Sequence, residues 1–165
     1  MTMPRRISMA IFLVAAAAEG CGKPAGPAPP QIRYGQDTCA ACGMIISDER
    51  FAAGLVTGAG PRFQALAFDD LGCLLEHERS APGLAVAARY VRDFQLPQWR
   101  AAEDAFYAHG AGLRSPMAFN LAACASSGGA EALAAARGGG EVLDFPSVQR
   151  RFEAGALAMR QGATP

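Results

Sequence analysis

Between Phe51 and Phe145 almost every apolar segment is cut short by glycine or proline, and this punctuation leaves room only for short strands and short helices. Phe51 to Thr57 is an apolar run that ends at Gly58-Ala59-Gly60-Pro61. Arg62 to Phe68 follows, with Phe63, Ala65 and Ala67 alternating, so the two segments predict a hairpin. Asp69 or Asp70 then supplies a helix N-cap, and Leu71, Leu74 and Leu75 keep helical spacing until Pro82-Gly83 ends the pattern. Ala85 to Phe94, with Val86, Tyr90 and Val91, suits a buried strand.

The same order recurs in the second half. Gln98 to Ala102 and Ala105 to His109 predict strands, and Ser115-Pro116 reads as a cap followed by proline at the first helical position. The helix runs to Arg137, broken into two pieces by Ser126-Ser127-Gly128-Gly129, and Glu141 to Phe145 is a strand. The expected class is α+β: two tandem strand-strand-helix-strand (ββαβ) units packed together, over about 37–95 and 96–146, joined near Gln95-Leu96-Pro97. Each unit is too small to bury a robust core alone. Residues 147–165 add a C-terminal helix and tail, with Val148, Phe152, Ala156 and Met159 on one face.

The N-terminus fixes the compartment. Arg5 and Arg6 precede an uncharged apolar run from Ile7 to Ala18, and small residues lead to Cys21. Twelve apolar residues make a helix of about 18 Å, short of a hydrocarbon core of about 30 Å, so residues 1–20 read as a cleaved signal peptide. Small residues followed by cysteine resemble a bacterial lipobox, which would leave Cys21 as a lipidated N-terminus. Ala18 and Glu19 depart from that pattern, and ordinary secretion with Cys21 as a stray thiol is the alternative. Residues 21–36 then form a tether, with four prolines and two glycines in Gly22 to Pro30 reading as extended, solvated chain. The expectation is a membrane-anchored protein facing the periplasm, on the outer membrane.

Fifteen basic residues balance fifteen acidic ones without a basic cluster outside the signal, which excludes a nucleic-acid binder.

The densest constellation of reactive side chains is Cys39-Ala40-Ala41-Cys42-Gly43-Met44, in a loop before the first strand. In an exported protein it has three readings: a structural disulfide, a thiol-redox pair, or a metal loop. No strand precedes Cys39, which disfavours the redox reading. Met44 favours metal, because a thioether beside a thiolate is a soft, uncharged donor suited to Cu(I), where zinc would prefer Cys or His. Met117 could be a further sulfur donor or an ordinary core methionine. His109 could be a nitrogen donor or structural. Cys73 and His77, four residues apart, share a helix face opposite the leucine stripe and could hold metal or simply face solvent. Cys124 reads as a small buried residue.

These motifs carry a family resemblance. Cys39-x-x-Cys42-Gly43-Met44-Ile45-Ile46-Ser47-Asp48-x-x-Phe51-Ala52-Ala53 resembles the opening motif of the NosL family, copper-binding accessory proteins of nitrous oxide reductase. Phe68-Asp69-Asp70-x-Gly72-Cys73, Val91-Arg92-Asp93-Phe94, Leu113-Arg114-Ser115-Pro116-Met117 and Gly140-Glu141-Val142-Leu143 are similar to later stretches of it, in order. The resemblance implies a periplasmic lipoprotein that binds Cu(I) and passes it to nitrous oxide reductase apoprotein or its assembly machinery. It implies Cys42 and Met44 as ligands, with Met117 in the Ser-Pro-Met turn of the second unit. Cys39 is an addition that many relatives lack, either a further ligand or a disulfide partner of Cys42. The rivals are a carbon-metal lyase similar to organomercurial lyases, with Asp69 or Asp70 beside Cys73 as proton donor, and a thiol-redox lipoprotein.

Overall fold

The computed structural model describes residues 26–157. The signal segment, Cys21 and Met159 therefore lie outside the described residues.

The first unit forms as its punctuation requires: β1 (Ala53–Thr57), β2 (Gln64–Phe68), α1 (Leu71–Ser80) and β3 (Val86–Arg92). Asp70 is the cap of α1, accepting the Gly72 N–H at 3.0 Å. β4 (Trp99–Ala101) follows, and it does not open the second unit. It pairs antiparallel with β3 and completes a sheet of order β2-β1-β3-β4. The reason is Asp93, whose carboxylate accepts from the Gln95 and Leu96 amides at 2.9 and 3.0 Å and from Arg100 Nε at 2.7 Å. That clamp folds Gln95-Leu96-Pro97 into a hairpin turn within the first sheet, so the chain crosses to the second sheet only after β4.

The second unit is β5 (Phe106–His109), β6 (Leu121–Cys124), α2 (Ser127–Ala136) and β7 (Glu141–Asp144). Its sheet order, β6-β5-β7, repeats β2-β1-β3, with the first strand of each unit central and all pairings antiparallel. The expected ββαβ duplication is present, with different boundaries. The long helix expected from Ser115 is the main correction. Residues 115–120 form a loop, the alanine-rich Leu121–Cys124 is a fully buried strand, and Ser126 caps α2 through the Gly129 N–H at 3.1 Å instead of interrupting a helix. Burial between β5 and α2 overrides alanine's helix preference there.

α3 (Phe145–Glu153) is capped by Asp144, whose side chain accepts the Ser147 N–H at 2.9 Å. It inserts Phe145 and Val148 into a core shared by both units, with Leu55, Phe68 and Leu74 from the first and Tyr107 and Leu121 from the second. Phe152 is half-buried, whereas Ala156 lies past the helix end and is exposed.

The proline-rich segment is not solvated throughout. Pro30 is buried against Gly54 of β1, where an added Cβ would stand 2.4 Å from Pro30 Cδ, and the Tyr90 hydroxyl donates to the Pro27 carbonyl at 2.7 Å.

Candidate metal centre

A tight turn carries the Cys-x-x-Cys pair. Thr38 and Ile45 form an antiparallel bridge, the Cys39 N–H donates to the Met44 carbonyl at 2.8 Å, and the Gly43 N–H donates to the Cys39 carbonyl at 2.9 Å. Gly43 takes φ +74°, left-handed backbone that favours glycine, which accounts for its place directly after Cys42. The Ala40 N–H, bonded to the Ala67 carbonyl at 2.9 Å, ties the turn to β2. Cys39 is thereby buried under the turn, while Cys42, at its tip, is exposed.

The third sulfur comes from α1. Cys73 sits in the first helical turn, away from the leucine stripe as helical spacing demands. That face is not wet, because the Cys39–Met44 turn covers it and Cys73 is buried. The Sγ atoms of Cys39, Cys42 and Cys73 all lie within 4.8 Å of one another, and all three are free thiols. A metal about 2.3 Å from each of three sulfurs sets them about 4 Å apart, so the cluster fits one ion with little movement.

The thiols share protons unequally. Cys73 donates a hydrogen bond to the Cys39 sulfur, which holds Cys39 well below the ordinary thiol range. Burial opposes this, and the backbone N–H groups of Cys42, Asp69 and Ala41 assist it. The same Cys73–Cys39 bond, with burial, pushes Cys73 far up. Cys42 is raised by the partial burial of its sulfur against the other two, with the Met44 N–H pulling the other way. Binding a metal through all three sulfurs requires them as thiolates and displaces their protons.

Of the other candidates, Met44 is 56% exposed on the same turn. Met117 is half-buried against the shared core. His77, one helical turn beyond Cys73, rests on the Phe68 ring at 5.4 Å between centroids. His109 Nδ1 lies 3.0 Å from Glu141 Oε1, a carboxylate that Arg151 also holds. Neither histidine belongs to the thiol cluster. Cys124 is buried, as expected, but in a strand, and burial pushes its thiol up to about 11. Asp69 is pushed up by burial and accepts the Ser47 N–H at 3.3 Å. Asp70 is fully buried and takes hydrogen bonds from the Ser115 hydroxyl and the Gly72 amide.

Placing Cys73 with Cys39 and Cys42 is what the linear sequence under-weighted. Spacing inside α1 paired Cys73 with His77, and no periodicity reports that a loop from before β1 folds over the same helix face.

A duplicated ββαβ domain with three converging thiols defines a candidate soft-metal-binding protein. The chain belongs to the NosL family, whose model matches residues 31–152. The crystal structure of the copper chaperone NosL from Shewanella denitrificans shares the fold, with a TM-score of 0.61 at 21% identity over 73% of this chain and 95% of that one. No curated protein matches this chain.

Proposed function

We propose that this chain is an exported, lipid-anchored Cu(I) chaperone that faces the periplasm and delivers copper for the copper centres of nitrous oxide reductase. The observation that carries this reading is the convergence of Cys39, Cys42 and Cys73, two buried and one exposed, on a space the size of one soft ion. Three thiolates without an imidazole or carboxylate in the cluster suit Cu(I), which accepts a sulfur-only set, over cations that seek oxygen. Cys42 and Cys39 are thus ligands with Cys73 beside them, and Met44 offers a thioether on the exposed side. Met117, in the Ser-Pro-Met turn of the second unit, is the further sulfur donor that the family resemblance implies.

Two observations weigh against the rivals. The Asp70 carboxylate, one of the two proton donors the lyase reading offers, is engaged by Ser115 and Gly72. The Cys39–Cys42 turn runs into the bridge at Ile45 instead of opening a helix, unlike a thiol-redox motif.

Anaerobic titration of the reduced protein with Cu(I), read by X-ray absorption, tests the metal. One equivalent with a sulfur-only first shell is expected, and preferential zinc binding would refute the reading. Copper-loaded protein should then restore activity to apo nitrous oxide reductase, whereas free Cu(I) at the same concentration should do so less well.

A further inference from the structure

The three sulfurs are chemically alike but not equally reachable. Cys39 and Cys73 are 2% and 4% exposed, while Cys42 is an exposed residue at the tip of a turn. On the same turn, Met44 and Ile45 are 56% and 53% exposed, a soft donor and an apolar contact near the one open thiol of the cluster. Cys39 is tied down further by the turn itself, which its own N–H and C=O close. Cys73 is fixed by the α1 backbone, its N–H donating to the Asp70 carbonyl at 3.0 Å.

We propose that Cys42 is the exchange ligand through which copper enters and leaves, while Cys39 and Cys73 are the retaining pair. The inference rests on the copper reading above and assigns the sulfurs separate kinetic roles. An incoming sulfur or imidazole donor of an acceptor protein forms a bond to Cu(I) on the Cys42 side. The copper–Cys42 bond breaks, and the sulfur departs with its electron pair and takes a proton from water. Copper stays Cu(I) throughout, so the step needs no oxidant or reductant. Displacement of Cys39 and Cys73 follows once the acceptor holds the ion.

Affinity alone predicts that losing any one thiolate speeds release. The proposal predicts opposite effects from the two ends of the site. Copper transfer from the full-length protein to bicinchoninate, an anionic Cu(I) chelator, would be followed anaerobically by stopped-flow absorbance in wild type, Cys42→Ser and Cys73→Ala. Cys73→Ala should bind Cu(I) about 10- to 100-fold more weakly, the range that even an outer-sphere loss produces, and should transfer it faster than wild type. Cys42→Ser should still bind through two buried sulfurs, yet transfer each bound ion about tenfold more slowly, equivalent to ~1.4 kcal/mol of barrier. Circular dichroism and the number of sulfurs in the X-ray absorption shell establish that both variants are folded and two-coordinate. Transfer from Cys42→Ser as fast as wild type, or loss of its Cu(I) binding, would overturn the assignment. Failure of the wild-type protein to bind Cu(I) would instead defeat the function proposed for the site.

Discussion

Ser115 donates its hydroxyl hydrogen to the carboxylate of Asp70, 45 residues earlier in the chain, and both side chains are buried. This bond docks the second unit's loop onto the N-terminus of the helix that carries Cys73. Ser115 Oγ also accepts the Asn120 N–H at 2.8 Å, and Asn120 Oδ1 accepts the Ser115 N–H at 3.2 Å, so the loop is closed on itself as it docks.

The Asp70 carboxyl makes stability depend on pH. Burial pushes it up to about 6 from an ordinary value of 3.8, against the hydrogen bonds from Ser115 and Gly72. A raised acid means the folded state binds more protons than the unfolded one between those values, so its contribution falls as pH rises through that window. The full effect is at most about 3 kcal/mol. Asp70→Asn cannot titrate. Its unfolding free energy, measured by urea denaturation from pH 4 to 7, should therefore gain on wild type as pH rises; parallel profiles would show that Asp70 is ionised at little cost.

Gly72 should tolerate no side chain. A Cβ there would stand 2.1 Å from the Phe119 ring, so Gly72→Ala must push the loop off α1. Overpacking of this kind costs about 1–3 kcal/mol, and the melting temperature should drop by on the order of 5–10 °C. Gly128→Ala is the control, since that helical glycine has open space at Cβ. It should be neutral or stabilising by up to about 1 kcal/mol. Equal melting temperatures for the two variants would contradict the docking.

The two methionines should separate ligation from packing. Met44 is exposed, so Met44→Ala should leave stability within about 0.5 kcal/mol of wild type while weakening Cu(I) binding. Met117 packs against the core, and Met117→Ala should cost about 1 kcal/mol. Competition against a colorimetric Cu(I) chelator reads the affinities. Unchanged binding in Met117→Ala would confine that residue to a structural role.

Mass spectrometry of protein extracted from membranes should find a mature chain that begins at an acylated Cys21. An unmodified terminus elsewhere would remove the anchor. Because Glu19 departs from the usual lipobox, Glu19→Ala should speed processing in a pulse-chase measurement.

The first unit was legible because its signals are local: Gly58 to Pro61 turns the hairpin, Asp70 caps α1 and Pro82-Gly83 stops it. The second unit misled because Ser115-Pro116 looks like a cap. Arg114, Ala118 and Asn120 adopt positive φ in a loop whose shape is set by Asp70, a partner that local pattern cannot supply. The site divides the same way. Cys39 and Cys42 declare themselves by spacing, whereas Cys73 joins them only through the fold.

The packing of Pro27 and Pro30 on the first sheet sets how far the head can roam. An anchor at Cys21 leaves only residues 21 to 26 ahead of that attachment, six residues of chain. At no more than about 3.3–3.6 Å each, six residues of any chain span at most roughly 20 Å. On the anchored reading proposed above, a head held by so short a segment would search a thin shell above the membrane instead of the depth of the periplasm. Any copper source and any recipient would then have to come to that shell, which would make the meeting an encounter at a surface.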